Sequence, residues 1–208
     1  MTKLKIIITL FLCCCLLTGC LNYTGIDKLT MVAGFTIDKE DAEYVLNFEI
    51  FDTEKSVTEE NIKTKVIECK GKTIIEGISN CKKILRAKLY FSNTQVIIIS
   101  KKIAKAGIRD IVLLILNEHD FRETIKMIVS SEKNAKDILM TDNVNSPIVS
   151  YEINDVIYDN ESIGLSTQLV PVYKVFPQVI TKKRTYILPG LNVKKNNNKE
   201  EYAGSDGL

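Results

Sequence analysis

The chain has 208 residues, a formal net charge of +2, 45% hydrophobic and 26% charged residues, an ordinary globular composition. That length is enough to bury the core of one or two domains. Residues 1–19 contribute Lys3 and Lys5 and no acid, so the remainder carries 26 basic and 26 acidic side chains. A neutral remainder lacks the clustered lysine and arginine that nucleic-acid phosphates require, which argues against a nucleic-acid-binding protein.

Residues 1–19 have the organisation of a signal peptide. Lys3 and Lys5 form a positive flank, and a run of 12 residues at 6–17 is apolar apart from one threonine. A transmembrane helix needs about 20 apolar residues, so this run suits the hydrophobic region of a signal peptide better than a membrane span. The run ends in Leu-Thr-Gly-Cys at 17–20, which resembles a lipobox.

The lipobox predicts that a signal peptidase cuts between Gly19 and Cys20 after the Cys20 thiol has been alkylated by a diacylglyceryl group. The new terminal Cys20 then carries S-diacylglycerol and an N-acyl chain, which together are enough for stable anchoring. Cys13, Cys14 and Cys15 are consecutive and cannot face one metal ion as C-x-x-C pairs do. We interpret them as small hydrophobic residues that leave with the peptide. A retained anchor and a cytosolic domain are the alternatives.

The segment after the lipobox has the pattern of a β-hairpin followed by a third strand. Residues 29–38 read as a strand, and residues 42–51 alternate strictly between two faces, as a half-buried strand does. The polar residues 39–41 between them predict a hairpin. Residues 52–66 predict a long exposed loop that leads into a strand near 64–69. Its acids are interpreted as a solvated charge run without EF-hand spacing: Asp52, Glu54, Glu59 and Glu60.

Apolar residues then recur at helical spacing from Thr73 onward. Thr73 is predicted to cap this helix, with Glu76 completing a capping box. The continuous β-branched run at 95–100 indicates a central buried strand. The helical pattern that follows, residues 102–120, is predicted to break or bend at Gly107.

A strand at 124–131 and a short helix at 134–142 continue the alternation of strands and helices. This order predicts an α+β (mixed α/β) fold in which a sheet packs with helices. In the C-terminal part, residues 166–181 are predicted to be extended because they contain two prolines, and the last thirty residues are polar and turn-rich. We therefore expect an N-terminal domain at 20–145 and, at 146–208, the incomplete start of a further domain.

The residues that usually carry chemistry are sparse. Cys69 and Cys81 could form a disulfide outside the membrane, but two free, partly buried thiols are the favoured interpretation. His119, the single histidine, lies between two acids and is interpreted as solvated surface; it leaves no second histidine for a zinc site. Residues 71–73 lack the earlier glycine of a P-loop and are expected to open the helix. No catalytic, cofactor-binding or metal-binding residue is predicted.

Four stretches in register carry a resemblance to a known family: "IDKLTMVAGFTIDKE" at 26–40, "YVLNFEIF" at 44–51, "GKTIIEGISN" at 71–80, and the segment from "KLYFSNTQ" to "AKDIL" at 88–139. Together with Cys20, this order resembles the Ger(x)C family of spore germination proteins, the lipoprotein C subunits of nutrient germinant receptors.

The chain departs from the family pattern at several positions. Asn93 stands where the family usually has histidine, and Gly77 replaces an alanine. Leu21 and Asn22 stand where Trp-Asp usually follows the lipidated cysteine. Family members are also longer, so we expect that this chain is truncated after the N-terminal domain.

The resemblance implies a non-enzymatic subunit anchored through Cys20 on the outer face of the spore inner membrane. It would act with integral-membrane A-type and B-type subunits in responding to germinants such as amino acids or sugars. No cofactor and no small-molecule substrate are expected. A solute-binding lipoprotein of a transporter is the alternative, although that class usually needs two lobes and a hinge. An extracytoplasmic enzyme is less favoured. The apolar residues of 108–116 are expected in the core rather than against a partner.

Overall fold

The computed structural model describes residues 2–7, 9, 29–52, 62–141, 146–162, 170–181, 187–196 and 199–205. Residues 2–7 are helical. The strands that follow are β1 (Leu29–Glu40), β2 (Glu43–Phe51), β3 (Thr64–Gly71), β4 (Lys88–Tyr90), β5 (Val96–Ser100), β6 (Lys126–Ser130), β7 (Gly190–Asn196) and β8 (Lys199–Ser205). The helices are α1 (Ile74–Leu85), α2 (Lys101–Ala106), α3 (Arg109–Asn117), α4 (Lys136–Leu139), α5 (Val149–Ser162) and α6 (Val172–Thr181).

All eight strands belong to one mixed sheet. Its order is β3-β2-β1-β5-β6-β7-β8, and β4 pairs with the beginning of β1. The pairs β1–β5, β5–β6 and β6–β7 are parallel, whereas β1–β2, β2–β3 and β7–β8 are antiparallel. Helices pack on both faces of this mixed sheet, so the predicted α+β (mixed α/β) class, a sheet packed with helices, is confirmed.

Strand β5 lies in the middle of the sheet and is buried on both faces, as its unbroken apolar run predicted. Ile97 and Ile99 contribute to the first core, between the sheet and the helices α1, α2, α3 and α6. Val96 and Ile98 contribute to the second core, between the sheet and the helices α4 and α5. The protein is therefore three layers thick, with the sheet in the centre.

At α1 the predicted Thr73 cap is confirmed, whereas the predicted capping box is displaced by one residue. The Thr73 hydroxyl accepts the backbone N–H of Glu76 at 3.1 Å, as an N-cap does. The Glu76 carboxylate accepts the N–H of Lys72 at 2.9 Å, one residue before the position that a capping box uses. Gly107, with φ of 111°, separates α2 from α3 and confirms the predicted break.

The prediction of an extended conformation for residues 166–181 is wrong where the structure describes them, because residues 172–181 form α6. Val172, Val175 and Val179 recur at helical spacing, and all three are buried in the first core. Fully burying a valine contributes roughly 1.5–3 kcal/mol. Three such burials offset the roughly 3 kcal/mol that Pro177 costs inside the helix.

The boundary expected near residue 145 does not divide the sheet. The later strand β7 extends it in parallel beside β6, with Val129 opposite Gly190. Helix α5 supplies Ile153 and Ile157 to the second core beneath β5. Part of the segment expected to be polar and turn-rich thus forms the strand pair β7–β8, because its strands find partners only in the assembled sheet.

The acidic stretch after β2 also differs from expectation at its first residue. Asp52 is buried, and its carboxylate lies 3.7 Å from the ammonium group of Lys65 on β3. Its backbone N–H donates to Lys63 O at 2.8 Å, so Asp52 continues the β2–β3 pairing instead of facing solvent. Glu54, Glu59 and Glu60 lie outside the described residues.

Two carboxylates of the β1–β2 hairpin cap both helices of the second face. Glu49, which is fully buried, accepts the N–H groups of Val149 and Ser150 at 2.8 Å each. It also accepts the Thr64 hydroxyl at 3.0 Å. Asp38 accepts the N–H of Ala135, the N-cap residue of α4, at 3.3 Å. Carboxylates at helix N-termini satisfy free N–H groups and complement the helix dipole.

Gly34 on β1 permits the close approach of α5 to the sheet. A Cβ atom at this position would overlap the Ser150 hydroxyl and lie 2.6 Å from Ser150 Cβ. Any larger residue at Gly34 would therefore push the beginning of α5 away from Glu49.

We expect Glu49→Ala to lower the free energy of unfolding by about 2–4 kcal/mol, because it leaves two buried N–H groups without an acceptor. Urea denaturation followed by circular dichroism measures the loss. Glu43→Ala is the matched control, since Glu43 is exposed on the same strand. Equal stability of the two variants would show that the cap contributes little.

Stability at alkaline pH should depend on Tyr151 of α5. Burial, together with the negative charge of Glu49, raises the pKa of Tyr151, although a hydrogen bond with Gln95 acts in the opposite direction. The folded state therefore retains the phenol proton at a pH where the unfolded state has lost it. The contribution of Tyr151 is complete below about pH 10, the unfolded value, and is lost as the pH rises toward the folded pKa.

Urea denaturation at pH 9 and pH 11 tests this dependence. The wild type should lose more stability between these two values than Tyr151→Phe, which has no phenol to ionise. Tyr158→Phe is the control, because Tyr158 is exposed on the same helix, and it should follow the wild type. Parallel losses in the wild type and Tyr151→Phe would contradict the assignment.

Candidate functional site

A groove of about 500 Å³ lies between α1 and α3, on the first-core face. It lies at the carboxyl end of β1, where Lys39 and Tyr44 face each other across the hairpin. Strands β1 and β5 are neighbours in the sheet, but the chain leaves them in opposite directions. After β1 it continues to β2, toward one edge of the sheet, and after β5 it continues to β6, toward the other edge. Ligand sites of open sheets containing parallel strands are typically found outside such a reversal of strand order.

The apolar part of the groove comes from both helices. Ile74 and Ile75 belong to the first turn of α1, and Leu113 and Leu114 lie on α3. Ile74 is buried and the two leucines are half-buried, but Ile75 has 59% of its surface exposed. The groove therefore combines an aliphatic floor with an accessible aliphatic side chain.

The charged part of the groove is balanced in sign. Lys39 and Lys72 lie toward the hairpin and the start of α1, and Asp110 and Glu118 lie at the two ends of α3. Within the part of the chain that the structure describes, none of these four groups forms an ion pair. The Lys39 ammonium instead lies 5.0 Å from the centre of the Tyr44 ring.

A narrower cavity of about 70 Å³ extends the groove between the same two helices, and it shares Ile75 and Glu118 with the larger one. Phe91 and Phe121 line it, with their ring centres 4.3 Å apart and nearly parallel. These rings belong to an aromatic cluster of the first core, so this end of the groove is formed by packed core side chains.

Helix α1 is attached to the sheet by a disulfide between Cys69 on β3 and Cys81, whose Cα atoms are 5.5 Å apart. This corrects the expectation of two free thiols. Both cysteines are buried, and α1 packs directly over β3, a proximity that twelve residues of sequence separation do not reveal. A Cβ atom on Gly71 would overlap the Gly77 N–H, so the absence of a side chain at Gly71 permits this close approach of strand and helix.

The structure places the other singled-out residues as follows. Cys20 lies outside the described residues. His119 is exposed in the turn after α3, and Thr73 caps α1 as expected for the end of the Gly71–Thr73 segment. Within the described ranges, no cluster of three or more His, Cys, Asp or Glu side chains could hold a metal ion. Among the same residues, no helix has the length and apolarity needed to cross a bilayer.

Sequence reasoning did not find the groove. The expectation that residues 108–116 belong to the core is confirmed for Ile111, Val112 and Ile115. Leu113 and Leu114 are only half-buried and line the groove. The sequence did contain one signal for the groove: the apolar residues of α3 cover more of the helix surface than a single buried stripe would.

The fold and the groove define a three-layer α/β/α domain with a surface cavity. A family model described as the spore germination protein N-terminal domain matches residues 22–193. The chain therefore belongs to this family of spore germination proteins, the Ger(x)C family that its motifs resemble.

A curated relative is spore germination protein KC of Bacillus subtilis (strain 168). It is 21% identical over 197 residues, which cover 90% of this chain and 48% of the relative. The chain thus spans about half the length of the curated relative that it matches. No solved structure matches the chain significantly.

Replacing both cysteines (Cys69→Ala with Cys81→Ala) should lower the free energy of unfolding by about 2–4 kcal/mol, because the disulfide restricts the conformations of the unfolded chain. Urea denaturation with and without dithiothreitol measures the effect. The reductant should destabilise the wild type and leave the double variant unchanged. Thiol labelling of the denatured, unreduced protein should leave both residues unmodified; labelling of both would show free thiols.

Proposed function

We propose that this protein is a lipid-anchored, non-catalytic subunit of a spore nutrient germinant receptor. The observation that carries the proposal is the position of the lipobox. Its cysteine, Cys20, lies two residues before the start of the family match at residue 22. Alkylation of the Cys20 thiol, cleavage between Gly19 and Cys20, and acylation of the new amino group would leave the matched domain with S-diacylglycerol and N-acyl chains close to its start.

The disulfide supports a location outside the cytoplasm. Disulfides persist in oxidising compartments and are rare where thiols are kept reduced. The Cys69–Cys81 bond lies within the family domain, so the domain is suited to the extracytoplasmic face of the membrane. In a spore this would be the outer face of the inner membrane.

The roles of two carboxylates, the buried Glu49 and the half-buried Asp38, favour a contact function over catalysis. Glu49 and Asp38 bind backbone N–H groups at the beginnings of α5 and α4. These acids are committed to stabilising the fold. The accessible groups at the groove are instead aliphatic side chains and charges of both signs, which suit binding to integral-membrane A-type and B-type subunits.

Cys20→Ala tests the anchor in a spore-forming Gram-positive host. The wild type should partition to the membrane with the mass of a chain that begins at a lipidated Cys20. The variant should remain an unprocessed precursor, and spores that carry it should germinate more slowly with nutrients. Cys15→Ala is the matched control, because it changes a cysteine of the same apolar run and should behave as the wild type.

Identical mass and partitioning of the wild type and Cys20→Ala would overturn the lipid anchor. Normal anchoring of the wild type, with no change in germination when the gene is deleted, would overturn the receptor role alone.

A further inference from the structure

We infer that the groove between α1 and α3 is a docking site for an amphipathic helix of a partner protein. The inference rests on the proposed function and assigns a surface to it. The helix would carry an aliphatic stripe with carboxylates along one side and lysine or arginine along the other. The groove's apolar floor, its charges and its walls each support this occupant.

The apolar floor matches an aliphatic stripe. Ile75, with 59% of its surface exposed, faces the groove together with Leu113 and Leu114 of α3. Helix α3 has nine residues, so this wall is about 13 Å long at 1.5 Å per residue. That length corresponds to rather more than two turns of a docked helix, which would present aliphatic residues at i, i+3 or i+4, and i+7.

The charged residues of the groove determine which charges the docked helix carries along its two sides. Lys39 and Lys72 on one side, and Asp110 and Glu118 on α3, have no ion-pair partner among the described residues. By contrast, Lys88 does form an ion pair nearby: its ammonium group lies 3.0 Å from the Asp120 carboxylate. A helix with carboxylates opposite the lysines and cations opposite the acids would complete all four pairs. Such complementarity fixes orientation and rejects other partners.

The walls of the groove favour a helix over an extended peptide. An extended peptide satisfies its backbone by pairing with a free strand edge, and no residue of the edge strands β3 or β8 lines the described groove. From Val112, whose N–H donates to Ile108 O at 3.0 Å, to the cap residue Glu118, whose N–H donates to Leu114 O at 3.1 Å, the α3 backbone N–H groups are bonded within their own helix. An occupant must therefore satisfy its own backbone hydrogen bonds, as a helix does.

Co-recovery of the receptor subunits tests the inference. The full chain, with its anchor, is co-expressed with the A-type and B-type subunits, solubilised in mild detergent and captured. Ile75→Asp and Lys72→Glu should each reduce recovery of at least one subunit by about tenfold, since a tenfold change corresponds to about 1.4 kcal/mol. Both residues are exposed, so the thermal midpoint should not change.

Ile84→Asp is the matched control. Ile84 lies on the same helix, is 62% exposed and does not line the groove, so this variant should recover both subunits as the wild type does. If Ile75→Asp and Lys72→Glu recover both subunits as well as the wild type does, helix docking is overturned. A small ligand would then be the remaining candidate for the cavity. Equal losses with Ile84→Asp would overturn the assignment to this groove.

Two further outcomes identify other failures. Sedimentation that shows a dimer of the purified chain, broken by Ile75→Asp, would replace the partner helix by a second copy. An anchored wild type that recovers neither subunit would overturn the receptor contacts of the proposed function, independently of the groove.

Discussion

The packing of helices on the second face of the sheet depends on the hydrogen bonds of the buried Glu49 carboxylate. It projects from β2 and accepts the first N–H groups of α5, about a hundred residues later in the chain. Asp38, on the partner strand of the same hairpin, binds the beginning of α4. A buried carboxylate is costly unless it is hydrogen-bonded, and helix N-termini supply the required donors. The hairpin therefore determines where both helices of this layer begin.

The helices lie close to both faces of the sheet because glycines leave room for them as well as because side chains bind them. Gly34 allows α5 to reach Glu49, Gly71 allows α1 to lie against the end of β3, and Gly77 allows α1 to approach Leu46 of β2. The disulfide then attaches α1 to that strand covalently. The groove exists because α1 is held in this position and forms one of its walls. The chain turns at Gly107, after α2, and α3 then forms the other wall. Its geometry is a consequence of packing on the sheet.

A domain of this construction suits a protein that works by contact. The rigid sheet presents one face whose cavity has an aliphatic floor and four charges without ion-pair partners among the described residues. The matched relative is about twice as long, so in that relative the corresponding domain is one part of a longer chain. With the proposed lipid anchor at Cys20, two residues before the start of the family match, such a surface would stay within reach of membrane-embedded partners.

The sequence by itself determined the features that depend on neighbouring residues. These are the β1–β2 hairpin, the Thr73 cap, the buried strand β5, the break at Gly107 and the motifs that indicate the family. The lipobox is equally local and remains a prediction. Only the tertiary structure decided that residues 172–181 are helical despite Pro177, that β7 and β8 complete the sheet, and that Cys69 meets Cys81. The groove belongs with these, because burial and pairing between distant segments outweigh local preference.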